Sequence, residues 1–157
     1  MSTVPAPGGS PRRFELGTDG PNVLVVGVDG TTTSLRAGAY AAGLARRQHA
    51  HLVIVYVASA GGLVELAPGG ALAARQVADE IAEDLRRQVE ELAPSLGISY
   101  TFRVESGDPF NQLVHVADEV SADGVVVGAS MQAGHRFAGS IAIRLVKAGR
   151  WPVTVVP

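Results

Sequence analysis

The chain has 157 residues, no cysteine, and 13 Lys and Arg against 15 Asp and Glu, a net charge of −2. That length fits one domain with a full core of its own. The charge balance excludes the basic stripe of a nucleic-acid binder and a polybasic membrane patch. The missing thiols exclude disulfides, thiolate zinc sites, iron–sulfur clusters and a cysteine nucleophile.

Met1–Gly20 carries Pro5, Pro7 and Pro11 among Gly8, Gly9, Gly17 and Gly20, with Arg12 and Arg13 between them. Such a stretch buries too little surface to offset its ordering entropy, so residues 1–20 are expected as a disordered tail and 21–157 as the domain. The tail lacks the apolar run of a signal peptide, and nothing in the chain approaches the roughly 18 apolar residues of a membrane helix. The expectation is a cytoplasmic protein that engages neither membrane nor nucleic acid.

Asn22–Val28 is a short β-branched run ending at Asp29–Gly30. Thr31–His49 follows as a helix, with Leu35, Ala39, Ala42 and Ala45 at helical spacing and Arg46–Arg47 in the last turn, where the helix dipole favours cations. His51–Val57 is a second apolar strand. After the Gly-rich stretch Ala58–Gly70, Ala71–Leu96 reads as a long helix striped by Val77, Ile81, Leu85, Val89 and Leu92. Ile98–Glu105 alternates apolar and polar residues, as a half-exposed edge strand does. Asp108 and Pro109 open a further helix as cap and first residue. Gly124–Gly128 is a buried strand, the Gly-rich stretch Gly128–Gly139 leads to a helix near Ser140–Gly149, and Val153–Val156 is the last strand.

Five strands separated by helical crossovers make a doubly wound α/β fold with a parallel sheet and helices on both faces. Such sheets bind ligands beyond the carboxyl ends of their strands, where the winding reverses. The candidate site is therefore the loop after the first strand together with the loop after the fourth. In the first, Asp29 ends a strand and Thr31–Ser34 open a helix, a pattern that serves either a ligand or plain capping. In the second, Gly128, Gly134 and Gly139 precede a helix beginning near Ser140, where freed amides and a hydroxyl suit a phosphate, and Arg136 adds a cation. Gly134–Ser140 has the spacing of a Walker A loop without its Lys, so a P-loop kinase or ATPase is refused. Gly128–Gln132 lacks the last Gly of a nucleophile elbow, so Ser130 is refused as a nucleophile. No catalytic residue and no metal cluster are expected. The acid cluster and Lys of a phosphoacceptor receiver domain are also missing.

The order and spacing of several pieces resemble the universal stress protein family. They are Val25–Gly30 with Ser34 following, His51–Val57, Ser106–Pro109, Ala122–Ser130, Gly139–Ser140 and Trp151–Val156. The resemblance runs from about Asn22 to Pro157. It implies strand order 3-2-1-4-5, a homodimer as the common assembly, and two groups of members. One group binds ATP through a G-x2-G-x9-G-S/T pattern after the fourth strand; the other lacks the pattern. Here Gly128 matches the first Gly and Gly139–Ser140 the last pair. Met131 stands in place of the second Gly, and seven residues rather than nine separate it from Gly139. Asp29 matches the family's acidic residue after the first strand, Val57 the apolar residue beside adenine, and Val127, Ile141 and Ala142 the flanking positions. The expected nucleotide-binding set is Asp29, Val57, Val127, Gly128, Ser130, Gly139, Ser140 and Ile141.

A Cβ at position 131 and a shorter loop remove phosphate donors, each amide lost costing about 1.5–3 kcal/mol. The resemblance thus implies a stress-response regulator that binds ATP or another adenine nucleotide weakly. The competing reading is a dimeric interaction module of the same family that binds no nucleotide and works through partner proteins. The uncharged last strand, Val153–Val156, is the expected dimer edge, because bare apolar edges are otherwise hazardous. A chain starting at Pro21 is expected to melt within a few degrees of the full chain by calorimetry. A larger fall would show that the first twenty residues dock on the domain.

Overall fold

Successive residues of the central strands point to two different helical layers, and that alternation organises the molecule. The computed structural model describes residues 17, 20–59, 66–132 and 135–157. The segment read as a disordered tail lies outside the described residues, apart from Gly17 and Gly20. The order is β1 (Val23–Val28), α1 (Thr32–Gln48), β2 (His51–Ala58), α2 (Gly70–Leu96), β3 (Ser99–Ser106), α3 (Pro109–Glu119) and β4 (Gly124–Gly128). Then come β5 (Ser130–Gln132), β6 (His135–Phe137), α4 (Ser140–Ala148) and β7 (Val153–Val156).

Five strands form one parallel sheet in the order β3-β2-β1-β4-β7, the expected 3-2-1-4-5 winding. Leu24, Val26 and Val28 of β1 join Leu52, Ile54 and Tyr56 of β2 under α1 and α2. Val25, Val53, Val55, Val125 and Val127 face the other way, onto α3 and α4. Val25 and Val26 are both wholly buried, which is why β1 shows no polar position. Each such side chain contributes about 1.5–3 kcal/mol of burial.

The ends of the elements are fastened by local hydrogen bonds, of which the Asp108 cap was expected. Asp108 caps α3 by accepting from the Asn111 amide at 3.0 Å, with Pro109 in the first turn. Asp123 Oδ2 accepts from the amides of Asn22 and Val23 at 2.8 and 2.9 Å, holding the start of β1 beside that of β4. At the carboxyl end of α1, His49 takes φ 54° and its backbone amide donates to the Ala45 carbonyl.

Two stripes differ from their expected faces. In α1 the buried residues are Thr33, Ser34, Ala37, Ala41, Ala42 and Ala45, while Leu35 and Ala39 lie exposed. Small residues face the sheet, so the helix lies close to it and the larger Leu35 is left outside. In α2 the buried line runs through Ala82, Leu85 and Ala93, with Val89 and Leu96 partly buried beside it. Val77 and Leu92, expected in the stripe, are exposed. Each four-residue step overshoots a full helical turn by about 40°, so a run of such steps winds off any single face.

Candidate functional site

The end of β1 is built as a closed set of local hydrogen bonds. Gly30 takes φ +84°, a conformation that costs a glycine nothing, and so turns the chain back toward Asp29. Asp29 Oδ1 then accepts from the Thr31 amide at 2.9 Å and the Thr31 hydroxyl at 2.6 Å. Thr31 is the N-cap of α1, accepting from the Ser34 amide at 3.3 Å. Ser34 Oγ donates to the Thr31 carbonyl at 3.0 Å and accepts from the Asp29 amide at 3.1 Å. Partial burial raises the Asp29 carboxyl, but the Thr31 and Ser34 bonds outweigh it and hold the group below the usual carboxylate value. Asp29 is therefore an anion at neutral pH, fixed in position by its neighbours.

Strand β4 brings the second half of the site against the first. A Cβ on Gly128 would stand 2.6 Å from the Thr33 carbonyl carbon and 2.7 Å from the Ser34 nitrogen. Glycine is needed there so that the end of β4 can pass beneath the first turn of α1. Gly139 has a related reason, since its Cβ would stand 2.9 Å from the Cβ of Ser130.

Between these glycines the structure departs from the expected open loop. Ser130–Gln132 pairs antiparallel with His135–Phe137, matching Ser130 to Phe137, Met131 to Arg136 and Gln132 to His135. Gly134, expected among the amide-freeing glycines, lies outside the described residues. Helix α4 then starts with Gly139 as its N-cap and no side-chain cap; Ser140 is the first helical residue. The first backbone bond of that turn runs from the Ile143 amide to the Gly139 carbonyl. The amides of Ser140, Ile141 and Ala142 precede it and have no acceptor within the helix, at the positive end of its dipole.

These pieces enclose a cleft of about 430 Å³ at the carboxyl ends of β1, β2 and β4. Asp29, Val57, Val127, Gly128, Ser130, Gly139, Ser140 and Ile141 all line it. Its wall also takes in Ala129 of the second loop, and Val55, Ser59, Pro109 and Leu113, which the sequence reading missed. Val55 was within reach, because it shares a strand face with Val57 two residues on. Pro109 and Leu113 follow from parallel winding, which starts every crossover helix at the carboxyl edge of the sheet. Across the first turn of α3, Arg144 lies 4.0 Å over the Phe110 ring and 3.4 Å from Asp108. Among the described residues the cleft thus offers an apolar wall, several hydroxyls, the fixed Asp29 carboxylate and a helix start with no side-chain cap. His51, by contrast, lies at the opposite end of β2, bonded to Ser99 and Thr101.

The sequence pattern of the universal stress protein family matches residues 22–157, and the chain belongs to that family. A universal stress protein of Methanocaldococcus jannaschii is 28% identical over 136 residues, which is 85% of this chain and 80% of that protein. A universal stress protein solved in complex with cAMP is 26% identical, with a TM-score of 0.67 over 87% of this chain and 97% of that one. The universal stress protein UspA of Lactobacillus plantarum shares the fold, with a TM-score of 0.73 at 20% identity over 87% and 97% of the two chains.

Replacing Gly128 by Ala is expected to lower stability by about 1–3 kcal/mol, since backbone rather than a movable side chain meets the new methyl. Urea unfolding would show it as a lower midpoint with unchanged slope. An unchanged midpoint would mean that α1 yields to β4 without cost.

Proposed function

We propose that this protein is a cytoplasmic regulator of the stress response that binds an adenine nucleotide weakly in the cleft between β1 and β4. One observation carries the reading: a single cleft joins the Asp29 carboxylate, the apolar wall at Val57 and the start of α4, which has no side-chain cap. Adenine would lie against Val57, Asp29 would accept from base or ribose, and phosphate would meet Gly128, Ser130, Gly139 and Ser140. The relative described in complex with cAMP supports an adenine ligand. Among the described residues no helix is long and apolar enough to cross a membrane, which agrees with the proposed compartment.

Met131 and the hairpin that contains it favour the second reading, an interaction module of the same family that holds no nucleotide. Mass spectrometry of small molecules released on denaturation, followed by calorimetry with ATP and AMP, separates the two. Weak heats with adenine nucleotides are expected. Silence at millimolar concentration would leave the interaction module.

We further propose that the protein works as a homodimer paired through β7. The Val125 amide bonds the Pro152 carbonyl and the Ala129 amide bonds the Val156 carbonyl. By the alternation of a parallel ladder, the amides of Val153 and Val155 point away from β4 toward the open edge. A second copy antiparallel to the first would satisfy them about a two-fold axis. Light scattering at tens of micromolar is expected to report a dimer. Val155→Pro should give monomer while keeping the β4 pairing, because the lost donor faces outward. A monomeric parent protein would sink the assembly.

A further inference from the structure

We infer that the groove between the first turn of α1 and the middle of α2 is a docking site for the chain's own residues 12–16, which include Arg12, Arg13, Phe14 and Leu16. The groove holds about 490 Å³ and is lined by Leu35, Ile81 and Leu85 together with Asp29, Glu80 and Asp84. Leu35, left outside when the small residues of α1 took the sheet, is 40% exposed there. Every charged residue described in the wall is acidic. Glu80 has no ion-pair partner among the described residues, Asp29 is held ionised by its own turn, and Asp84 pairs with Arg87 of its own helix. An apolar floor under an acidic rim fits a segment that carries bulky apolar side chains beside cations. Asp29 and Thr31 line both this groove and the cleft, so the docked segment would stand at the outer wall of the cleft.

Residues 1–20 concentrate those properties in one place. Arg12 and Arg13 are their only cations, and Phe14 and Leu16 their only bulky apolar residues after Val4. Reach allows the match. Gly20 lies against Gln48 at the end of α1, where a Cβ would stand 2.8 Å from the Gln48 side-chain oxygen. Leu35 stands about 20 Å back along that helix, at about 1.5 Å per residue. Extended chain covers about 3.3 Å per residue, so Phe14 reaches Leu35 and Arg12 extends beyond it to the acidic rim. A short tether raises the effective concentration to about the millimolar range, so contacts too weak to join separate molecules are populated within one chain. Docking on these terms changes melting little, which is compatible with the stability expected of a chain starting at Pro21.

The test uses the full chain, which lacks cysteine, so that Ser10→Cys gives a single site for a nitroxide label. In isotope-labelled protein the nitroxide should broaden the amide resonances of Leu35, Ile81 and Asp84. Arg12→Glu with Arg13→Glu should cut that broadening severalfold. So should Glu80→Lys in a chain that keeps both arginines, because either change sets like charges together. Molar salt should act in the same direction, since it shortens the screening length to about 3 Å. Broadening that is absent from these amides, or that survives both charge reversals, would overturn the inference. A mixture of nitroxide-bearing chain without isotope and isotope-labelled chain without nitroxide should leave the same amides sharp. Broadening in the mixture would put the segment of a second copy in the groove and overturn docking within one chain.

Discussion

The passage of β4 beneath the first turn of α1 is the constraint on which the site depends. Gly128 lies where any side chain would meet the backbone of Thr33 and Ser34. That contact sets the distance between the two loops at the reversal of the winding. It also explains why α1 begins with small hydroxylated residues, since Thr33 and Ser34 are buried there at 5% exposure each. A larger residue on either side would part the loops and open the cleft to solvent. The glycine serves close packing first, and any benefit to a bound phosphate comes through that packing.

Order around the cleft is prepaid by local bonding. Asp29, Thr31 and Ser34 satisfy one another within six residues of chain. The carboxylate does not need a ligand to be held, since Thr31 already fixes it. Such preorganisation keeps the ordering cost of binding small. Opposite it, the bond from Arg144 to Asp108 and its stacking on Phe110 tie α4 to the start of α3. Both halves of the cleft therefore rest on helices packed against the same sheet.

How much was legible in the sequence follows the strength of each local signal. The strands of the sheet were plain, because burial on both faces leaves β1, β2 and β4 apolar at every position or nearly so. Their order was not visible in periodicity and came from the resemblance of Val25–Gly30, Ala122–Ser130 and Trp151–Val156 to a known family. The stripe of α2 was misplaced at Val77 and Leu92, because equal four-residue steps drift around a helix. The hairpin of Ser130–Phe137 was missed for a different reason. Strands of three residues have no room for a period to show, and the glycines around them signal a loop just as well. The lining of the cleft by Val55, Pro109 and Leu113 depends on the packing of separate elements, which no local pattern records.

The two edges of the sheet are unlike. Along β3, Arg103 bridges to Glu105 and at 3.0 Å to Glu119 of α3, so that edge carries a charged, half-buried cluster. Along β7, Val153–Val156 carries no charge at all. A sheet with two bare edges propagates: each added copy leaves a new edge open, and the product is a fibre. A sheet with one bare edge joins a single copy of itself about a two-fold axis and then has nothing further to offer. The ion pairs on β3 thus limit the size of any assembly built through the sheet, whatever the strength of the contact at β7.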